Sequence, residues 1–260
     1  MLGLACLLIL LVVFAFGSWN AWNPIVRRYE LTVAKAAGPL KGLRVAVASD
    51  IHLGTIVGNK HLKLLVERIN GLTPDIILLP GDIIDDDIEP FIRKKMAQVM
   101  KHLHSRFGTY AVLGNHEYIG GHIEEFVKQM KAIGVVVLLD RSVKIHDSFY
   151  LVGRKDRAVQ RFGKGKREDL QSLLEGLDRS LPLILMDHQP YELDKAQSAG
   201  VDVMLSGHTH RADGAKSLDY TQAVRAGLGL SAQRAAPRSR IVGVRYVGAA
   251  DPHRQPFGNY

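Results

Sequence analysis

Short polar motifs occur in one order along this chain, and they contain the residue types that bind divalent metals. They are Asp50-Ile51-His52, Gly81-Asp82, Gly114-Asn115-His116-Glu117, Asp187-His188 and Gly207-His208-Thr209-His210. Carboxylate, amide and imidazole donors without a nearby thiolate suit Mn, Fe, Zn or Co better than calcium or copper(I). Two such cations, about 3.5–4 Å apart, can clamp the attacking and leaving oxygens of a phosphate ester. The motifs therefore predict a two-metal phosphoesterase site.

Most of these motifs directly follow a run of apolar residues. The runs are VAVAS, DIILLP, YAVL, LPLILM and VDVMLS. Buried strands of an α/β sheet place their functional residues at the carboxyl ends of the strands. Taken alone, Asp50 could be a helix cap and Gly81-Asp82 could be a turn. Chance agreement of the whole ordered set is very improbable, so we favour the metal site.

At these residues the chain resembles the calcineurin-like metallophosphoesterase family, from about Leu43 to His210. The resemblance implies a four-layer α/β/β/α sandwich, in which two packed mixed β-sheets are flanked by helices. It also implies two divalent metal ions, of which Mn is favoured here.

The resemblance assigns a role to each motif residue. The first metal would be held by Asp50, His52 and His210, and the second by Asn115, His188 and His208. Asp82 would bridge both metals. His116 looks like the histidine that protonates the leaving group or steadies the transition state, and Glu117 would orient His116.

The order of predicted elements agrees with an α/β fold. Strands alternate with helices, including a helix over residues 59–72 and another over residues 88–107, and a block of strands lies in the middle of the chain. We divide the chain into an N-terminal transmembrane anchor (1–22), a linker and edge strand (23–42), the catalytic domain (43–210) and an atypical C-terminal tail (211–260).

The N-terminal run LGLACLLILLVVFAF is apolar without interruption. Extended through Trp19 and Trp22, it approaches the roughly 17–25 residues of a membrane span. A cleaved signal peptide is the main alternative, but no basic residue precedes the run and no small-residue cleavage pattern closes it. We expect a single-pass membrane protein with an uncleaved anchor. Arg27 and Arg28 favour a cytoplasmic catalytic domain by the positive-inside rule, although the side stays open.

Two charged segments have competing interpretations. Asp85-Asp86-Asp87 could enlarge the acidic site, but a helix cap beside Ile88 is favoured. A basic segment includes Arg154, Arg157 and Arg161. It is either a loop that contacts a substrate phosphate or an anionic headgroup, or a solvated loop. The formal net charge of +8 also suggests nucleic acid, but the basic excess forms no recognition motif. We therefore expect no nucleic-acid partner.

Two functions of different classes fit the sequence. The first is a hydrolase that uses bimetal-activated hydroxide on a phosphomonoester or phosphodiester, with a membrane-surface or nucleotide-linked lipid as one substrate candidate. Membrane-associated members of the resembled family include the UDP-2,3-diacylglucosamine hydrolases of lipid A synthesis. The second is a non-catalytic metal-binding scaffold at the membrane. The presence of His116 argues against a scaffold, which needs no acid for a leaving group.

The character of the sequence changes after Arg211. The tail is rich in Ala, Arg and Gly and has little periodicity. In the resembled family, Gly-His-x-His is normally followed by a glycine-glutamine pair and later by a strand and a Gly-Pro-Pro loop. With suitable codons, back-translating IVGVRYVGAADPHRQPFGNY and shifting by one base can give SSGYGTWGPPIRIGNRSEI. The same shift from Ala212 onward can give QMAPNHWITRRLFELDWGYLRKG.

We therefore predict that the residues after Arg211 are out of the native reading frame. Such a chain keeps its metal ligands but loses native strands of the second sheet, so its tail should be disordered or poorly packed. Resequencing the gene around the codon for Arg211 checks this. An unambiguous in-frame read, together with a protease-resistant tail in the purified protein, would show the prediction to be wrong.

Overall fold

The computed structural model describes residues 2–22, 25–163, 165–208 and 239–248. Its helices are α1 (Leu2–Trp22), α2 (Asn59–Gly71), α3 (Glu89–Arg93), α4 (Met96–Met100), α5 (Asn115–Gly120), α6 (Ile123–Ala132), α7 (Ala158–Arg161), α8 (Leu170–Leu173) and α9 (Leu193–Ser198). Its strands are β1 (Ile25–Val33), β2 (Val45–Val47), β3 (Ile76–Pro80), β4 (Thr109–Val112), β5 (Val135–Val137), β6 (Arg141–Ile145), β7 (Phe149–Gly153), β8 (Leu183–Met186), β9 (Val203–Leu205) and β10 (Ser239–Gly248).

The described strands form two mixed sheets. The first has the order β1-β10-β2-β3-β4-β5 and the second the order β6-β7-β8-β9. In the first sheet β1 is antiparallel to β10, and the remaining neighbours are parallel. In the second, β6 is antiparallel to β7, while β7, β8 and β9 run parallel. The predicted α/β architecture with two mixed sheets is confirmed.

Alternating residues of the central strands build the layers. Val45 and Val47 of β2 pack into the core between the sheets, and Ile184 and Met186 of β8 meet them from the other side. Ala46 instead joins a second core under the helices that cover the first sheet. A third core lies between the outer face of the second sheet and α8 and α9. Burial on both faces explains why these strands read as continuous apolar runs.

The helix expected over residues 88–107 is broken into α3 and α4. Lys95, which separates them, has a left-handed backbone with φ 51°. No glycine or proline marks this position in the sequence, so the break had no local signal. Pro90 lies instead in the first turn of α3, where its missing N–H costs no hydrogen bond.

The tail contributes one strand to the structure. β10 lies between β1 and β2, with Ile25 opposite Gly248 and Val45 opposite Val244. Ser239–Gly248 thus forms a strand, for which the β-branched and aromatic residues of SRIVGVRYVG are suited. The expected poor packing of the tail stays a prediction. The remaining tail residues lie outside the described ranges, and the shift of reading frame stays a prediction.

Helix α1 carries exposed large apolar side chains from Leu4 to Phe16. Within the residues that the structure describes, no helix is both long and apolar enough to cross a membrane.

Candidate metal centre

Both sheets deliver polar residues to the same edge of the sandwich. Asp82 follows β3 of the first sheet, and His188 follows β8 of the second. The ring of His188 reaches across the sheets, with Nδ1 2.8 Å from the carbonyl oxygen of Pro80. The backbone N–H of His208, after β9, donates to Oδ1 of Asp50 at 2.8 Å. These two contacts join the sheets where the candidate ligands lie.

The backbone at the centre is held in a strained conformation. The φ angles of Asp50, His52, Asp82 and His208 are 55°, 49°, 50° and 70°. A left-handed conformation costs a residue with a side chain about 1–3 kcal/mol, and such residues cluster at functional sites. Four of them in one centre mean that the surrounding sandwich enforces the ligand positions.

Two glycines allow the loops to approach this closely. A Cβ on Gly114 would lie 2.2 Å from Oδ1 of Asp82. A Cβ on Gly207 would lie 1.9 Å from Oγ of Ser49. The glycines of the Gly-Asn-His-Glu and Gly-His-Thr-His motifs are thus required by the contacts of the aspartates rather than by the turns alone.

Asp82 lies at the middle of the centre. Its Oδ2 is buried and makes no well-aligned hydrogen bond with any residue that the structure describes. The Nε2 atoms of three imidazoles surround this oxygen, His188 at 3.0 Å and His52 and His116 at 4.0 Å each. A buried carboxylate oxygen that faces several ring nitrogens without aligning with them fits a ligand shared between cations.

The contacts of His188 fix which nitrogen can bind a metal. Because Nδ1 lies against the carbonyl of Pro80, it carries the proton, and Nε2 points at Asp82 and, at 3.2 Å, at Oδ1 of Asn115. Burial alone would lower the pKa of His188, but the contact with Asp82 and its charge raise it to about 9. Burial likewise opposes ionisation of Asp82, but the contact with His188 holds the pKa of Asp82 below its usual value. The protein without metal thus keeps a proton where a cation would bind.

Two donor groups share Asp82. One consists of His52, Asp82 and His116, and the other of Asp82, His188 and His208. Asp50 lies beside them and accepts hydrogen bonds from Ser49 Oγ at 2.6 Å and from the backbone of His208. Burial is the main cause that lowers the pKa of His208, which favours the neutral ring that a metal needs. These nitrogen and oxygen donors fit two divalent cations, with His116 set apart because its predicted role is proton transfer rather than metal binding. The structure thus brings the predicted ligands together except His210, which lies outside the described residues.

His116 is oriented by acidic residues that the sequence analysis assigned to a helix cap. Its Nδ1 lies 2.8 Å from Oδ1 of Asp86 and 3.3 Å from Oδ1 of Asp85, in contacts less well aligned than full hydrogen bonds. Asp87 alone caps, accepting from the backbone N–H of Glu89. The available signal in the sequence was the run of three aspartates that follows Gly81-Asp82 after two isoleucines, because that loop enters the site.

Glu117, which was predicted to orient His116, instead accepts hydrogen bonds from backbone groups. Its carboxylate, on a side chain that is fully buried, accepts hydrogen bonds from the backbone N–H groups of Asp82, Ile83, Ile84 and Gly114 at 2.7–3.2 Å. Burial and the charge of Asp82 raise the pKa of Glu117 to about 7. Glu117 therefore positions the loop that carries the shared aspartate, while the aspartates after that loop face His116.

The three arginines proposed for substrate binding lie in different environments. Arg154 is only 4% exposed, and its guanidinium is bonded to Asp187 and Glu192, so it is not accessible to a substrate. Arg157 is exposed and stacks over the ring of Tyr191, with 4.9 Å from Cζ to the ring centroid. Arg161 is exposed beside Phe162. The prediction for Arg154 is thus wrong, because internal carboxylates neutralise its charge.

Comparison with known proteins agrees with the geometry. The family model described as calcineurin-like phosphoesterase matches residues 43–212. A "Transmembrane protein with metallophosphoesterase domain" of Danio rerio is 32% identical over 216 residues, 78% of this chain and 48% of that protein. An "Uncharacterized metallophosphoesterase" of Aquifex aeolicus is 29% identical, covering 71% of this chain and 69% of that protein. The crystal structure of TT1561 of Thermus thermophilus covers 63% of this chain and 81% of that chain, with 14% identity and a TM-score of 0.47.

The chain spans about half the length of several of the curated relatives that it matches. The Danio rerio protein and its Bos taurus counterpart are covered over 48% and 45% of their lengths. The match therefore concerns the domain that carries the candidate centre.

We expect Asp82→Asn to lower the metal content of both sites, because a neutral amide cannot replace a carboxylate between two cations. Metal content per chain after dialysis, measured by inductively coupled plasma mass spectrometry, checks this. Asp87→Asn is the matched control, since Asp87 is exposed and caps α3 through a backbone contact. Full metal content in Asp82→Asn would contradict the shared-ligand role.

Proposed function

We propose, since the chain belongs to the calcineurin-like phosphoesterase family, that it hydrolyses a phosphomonoester or phosphodiester. When bound, two divalent cations would neutralise the phosphate charge and supply a nucleophile at neutral pH. We favour Mn over Fe, Zn and Co. The observation that carries the proposal is Oδ2 of Asp82, buried and unaligned among three imidazole Nε2 atoms.

The side chains divide the work between binding and proton transfer. Asp50 and His52, with His210, are assigned to the first cation, and Asn115, His188 and His208 to the second. His116 would deliver a proton to the leaving oxygen from Nε2, because its Nδ1 is occupied by Asp86 and Asp85. A general acid must lie within hydrogen-bond reach of the oxygen that it protonates, and these contacts leave Nε2 as the nitrogen that can do so.

The alternative function is a metal-binding scaffold without catalysis. A scaffold would need the ligands, but it would not need an imidazole backed by two exposed carboxylates at the centre. The side chains of Asp85 and Asp86 are 55% and 54% exposed, so His116 is oriented at the open side of the site, where a leaving group would depart. This feature favours the enzyme.

We further infer that α1 attaches the protein to a membrane and that the substrate is reached at the membrane surface. The exposed apolar side chains of α1 support this, as do the relatives named transmembrane proteins. A nucleotide-linked lipid remains one candidate substrate. The exposed Arg157 and Arg161 would then meet its anionic groups.

His116→Ala tests the proposed chemistry. We expect turnover to fall about 10²–10⁴-fold on substrates with poor leaving groups, and least where the leaving group needs no proton. The measurement is the rate with added Mn on a panel of phosphomonoesters, phosphodiesters and nucleotide-linked lipids, compared with p-nitrophenyl esters. Metal content should stay nearly normal.

His104→Ala is the matched control, because His104 is exposed near the amino end of β4, away from the centre. Loss of both metals in His116→Ala would contradict the assigned role. Equal, measurable rates for the wild type and His116→Ala on poor leaving groups would also contradict it, whereas a metal-loaded wild type that hydrolyses no substrate of the panel would favour the scaffold.

Deletion of residues 1–22 tests the attachment. The full chain should sediment with membranes and require detergent for release, because burying the apolar side chains of α1 in lipid removes them from water. The shortened chain should appear in the supernatant after cell lysis and ultracentrifugation. Recovery of the full-length protein in the supernatant without detergent would contradict the attachment.

A further inference from the structure

A buried ionic cluster lies directly behind the ligand His188. Oδ2 of Asp187 contacts Nη1 of Arg154 at 3.3 Å and also Nη2 of Arg167. The three side chains are only 1%, 4% and 7% exposed. The carboxylate of Asp187 thus has two guanidinium partners inside the protein.

The cluster joins four segments of the second half of the domain. Arg154 follows β7, and besides Asp187 it contacts Glu192 Oε2 at 3.2 Å, at the start of α9. Its Nη2 donates to the carbonyl oxygen of Glu168 at 3.1 Å, in the segment before α8. Arg167 comes from the same segment. The basic segment, which begins at Arg154 and ends at Arg167, is thereby attached to the end of β8, where Asp187 lies.

Asp187 and His188 are adjacent in the sequence, and their side chains point in opposite directions. The backbone N–H of Asp187 donates to Leu205 at 3.1 Å, and the carbonyl of His188 accepts from Gly207 at 2.9 Å. The side chain of His188 then points across the sheets to Pro80. With Asp187 anchored on one side and the backbone held by β9, the ring of His188 has little freedom to turn.

The cluster is not arranged for stability alone. Among the residues that the structure describes, four buried polar atoms of the cluster have no hydrogen-bond partner: Nε of Arg154, Nε and Nη1 of Arg167, and Oδ1 of Asp187. Buried ion pairs that are incompletely bonded commonly stabilise a fold less than apolar side chains of the same size would. A cluster kept at such a cost directly beside a candidate ligand points to a role at the centre.

We infer that Asp187, held by Arg154 and Arg167, is a positioning residue that fixes His188 for its metal and links the basic segment to the centre. This role rests on the proposed function, because it concerns the same metal centre. Metal affinity can nevertheless be measured without any substrate, so the two ideas can fail separately.

The test is Asp187→Asn in the full chain, titrated with Mn²⁺ by calorimetry after removal of bound metal. We expect one of the two affinities to fall about 10–100-fold, the range for residues that orient metal ligands, and the other to stay unchanged. Glu192→Gln is the matched control. It removes a carboxylate from the same guanidinium of Arg154 but does not touch β8, so both affinities should match the wild type.

Arg167→Lys keeps the positive charge and loses the planar fork, and it serves if Asp187→Asn does not fold. A smaller, site-selective loss of Mn²⁺ affinity in this variant supports positioning. The inference is overturned if the folded variants lower the melting temperature of the metal-free protein while both Mn²⁺ affinities stay at the wild-type values. It is also overturned if Glu192→Gln weakens binding as much as Asp187→Asn.

A wild type that binds two Mn²⁺ ions but hydrolyses no ester would refute the proposed function and leave this inference standing.

Discussion

The position of one carboxylate, that of Asp82, constrains the rest of the structure. For Oδ2 to face imidazoles from both sheets, the carboxyl ends of β3 and β8 must meet at one edge of the sandwich. The contact between His188 and the carbonyl of Pro80 sets the distance at that edge. The core between the sheets keeps it, since the valines of β2 and the alternate residues of β8 leave no room for the sheets to slide. The geometry of the centre therefore depends directly on the packing between the two sheets.

The strained backbone at the centre is maintained by this rigid packing. Left-handed backbone at Asp50, His52 and Asp82 would relax in a loosely packed loop. Here Glu117 binds the backbone N–H groups of the loop that starts at Asp82, and Gly114 lets the two motifs approach to contact distance. A buried carboxyl group that accepts four backbone hydrogen bonds holds the loop without contributing a ligand. The glutamate of the Gly-Asn-His-Glu motif is therefore required for shape rather than for proton transfer.

The sequence alone predicted the layers and most of the centre, because both follow from local patterns. Continuous apolar runs marked the buried strands, and the residue after each run marked the site. What it could not predict depends on contacts between distant segments. The choice of Asp86 over Glu117 as the partner of His116 depends on how two loops meet, and the burial of Arg154 depends on Asp187, more than thirty residues away. The break at Lys95 likewise carries no local signal in the sequence.

In the described part of the domain, some arginine side chains are buried and others are exposed to solvent. Arg154 and Arg167 lie inside and are matched by Asp187 and Glu192, so they organise the protein rather than attract a ligand. The exposed arginines of the same segment keep their charge at the surface, whereas the candidate ligands include the carboxylates of Asp50 and Asp82. Cations bound at those carboxylates would reverse the sign of the centre and make it attractive to a phosphate ester.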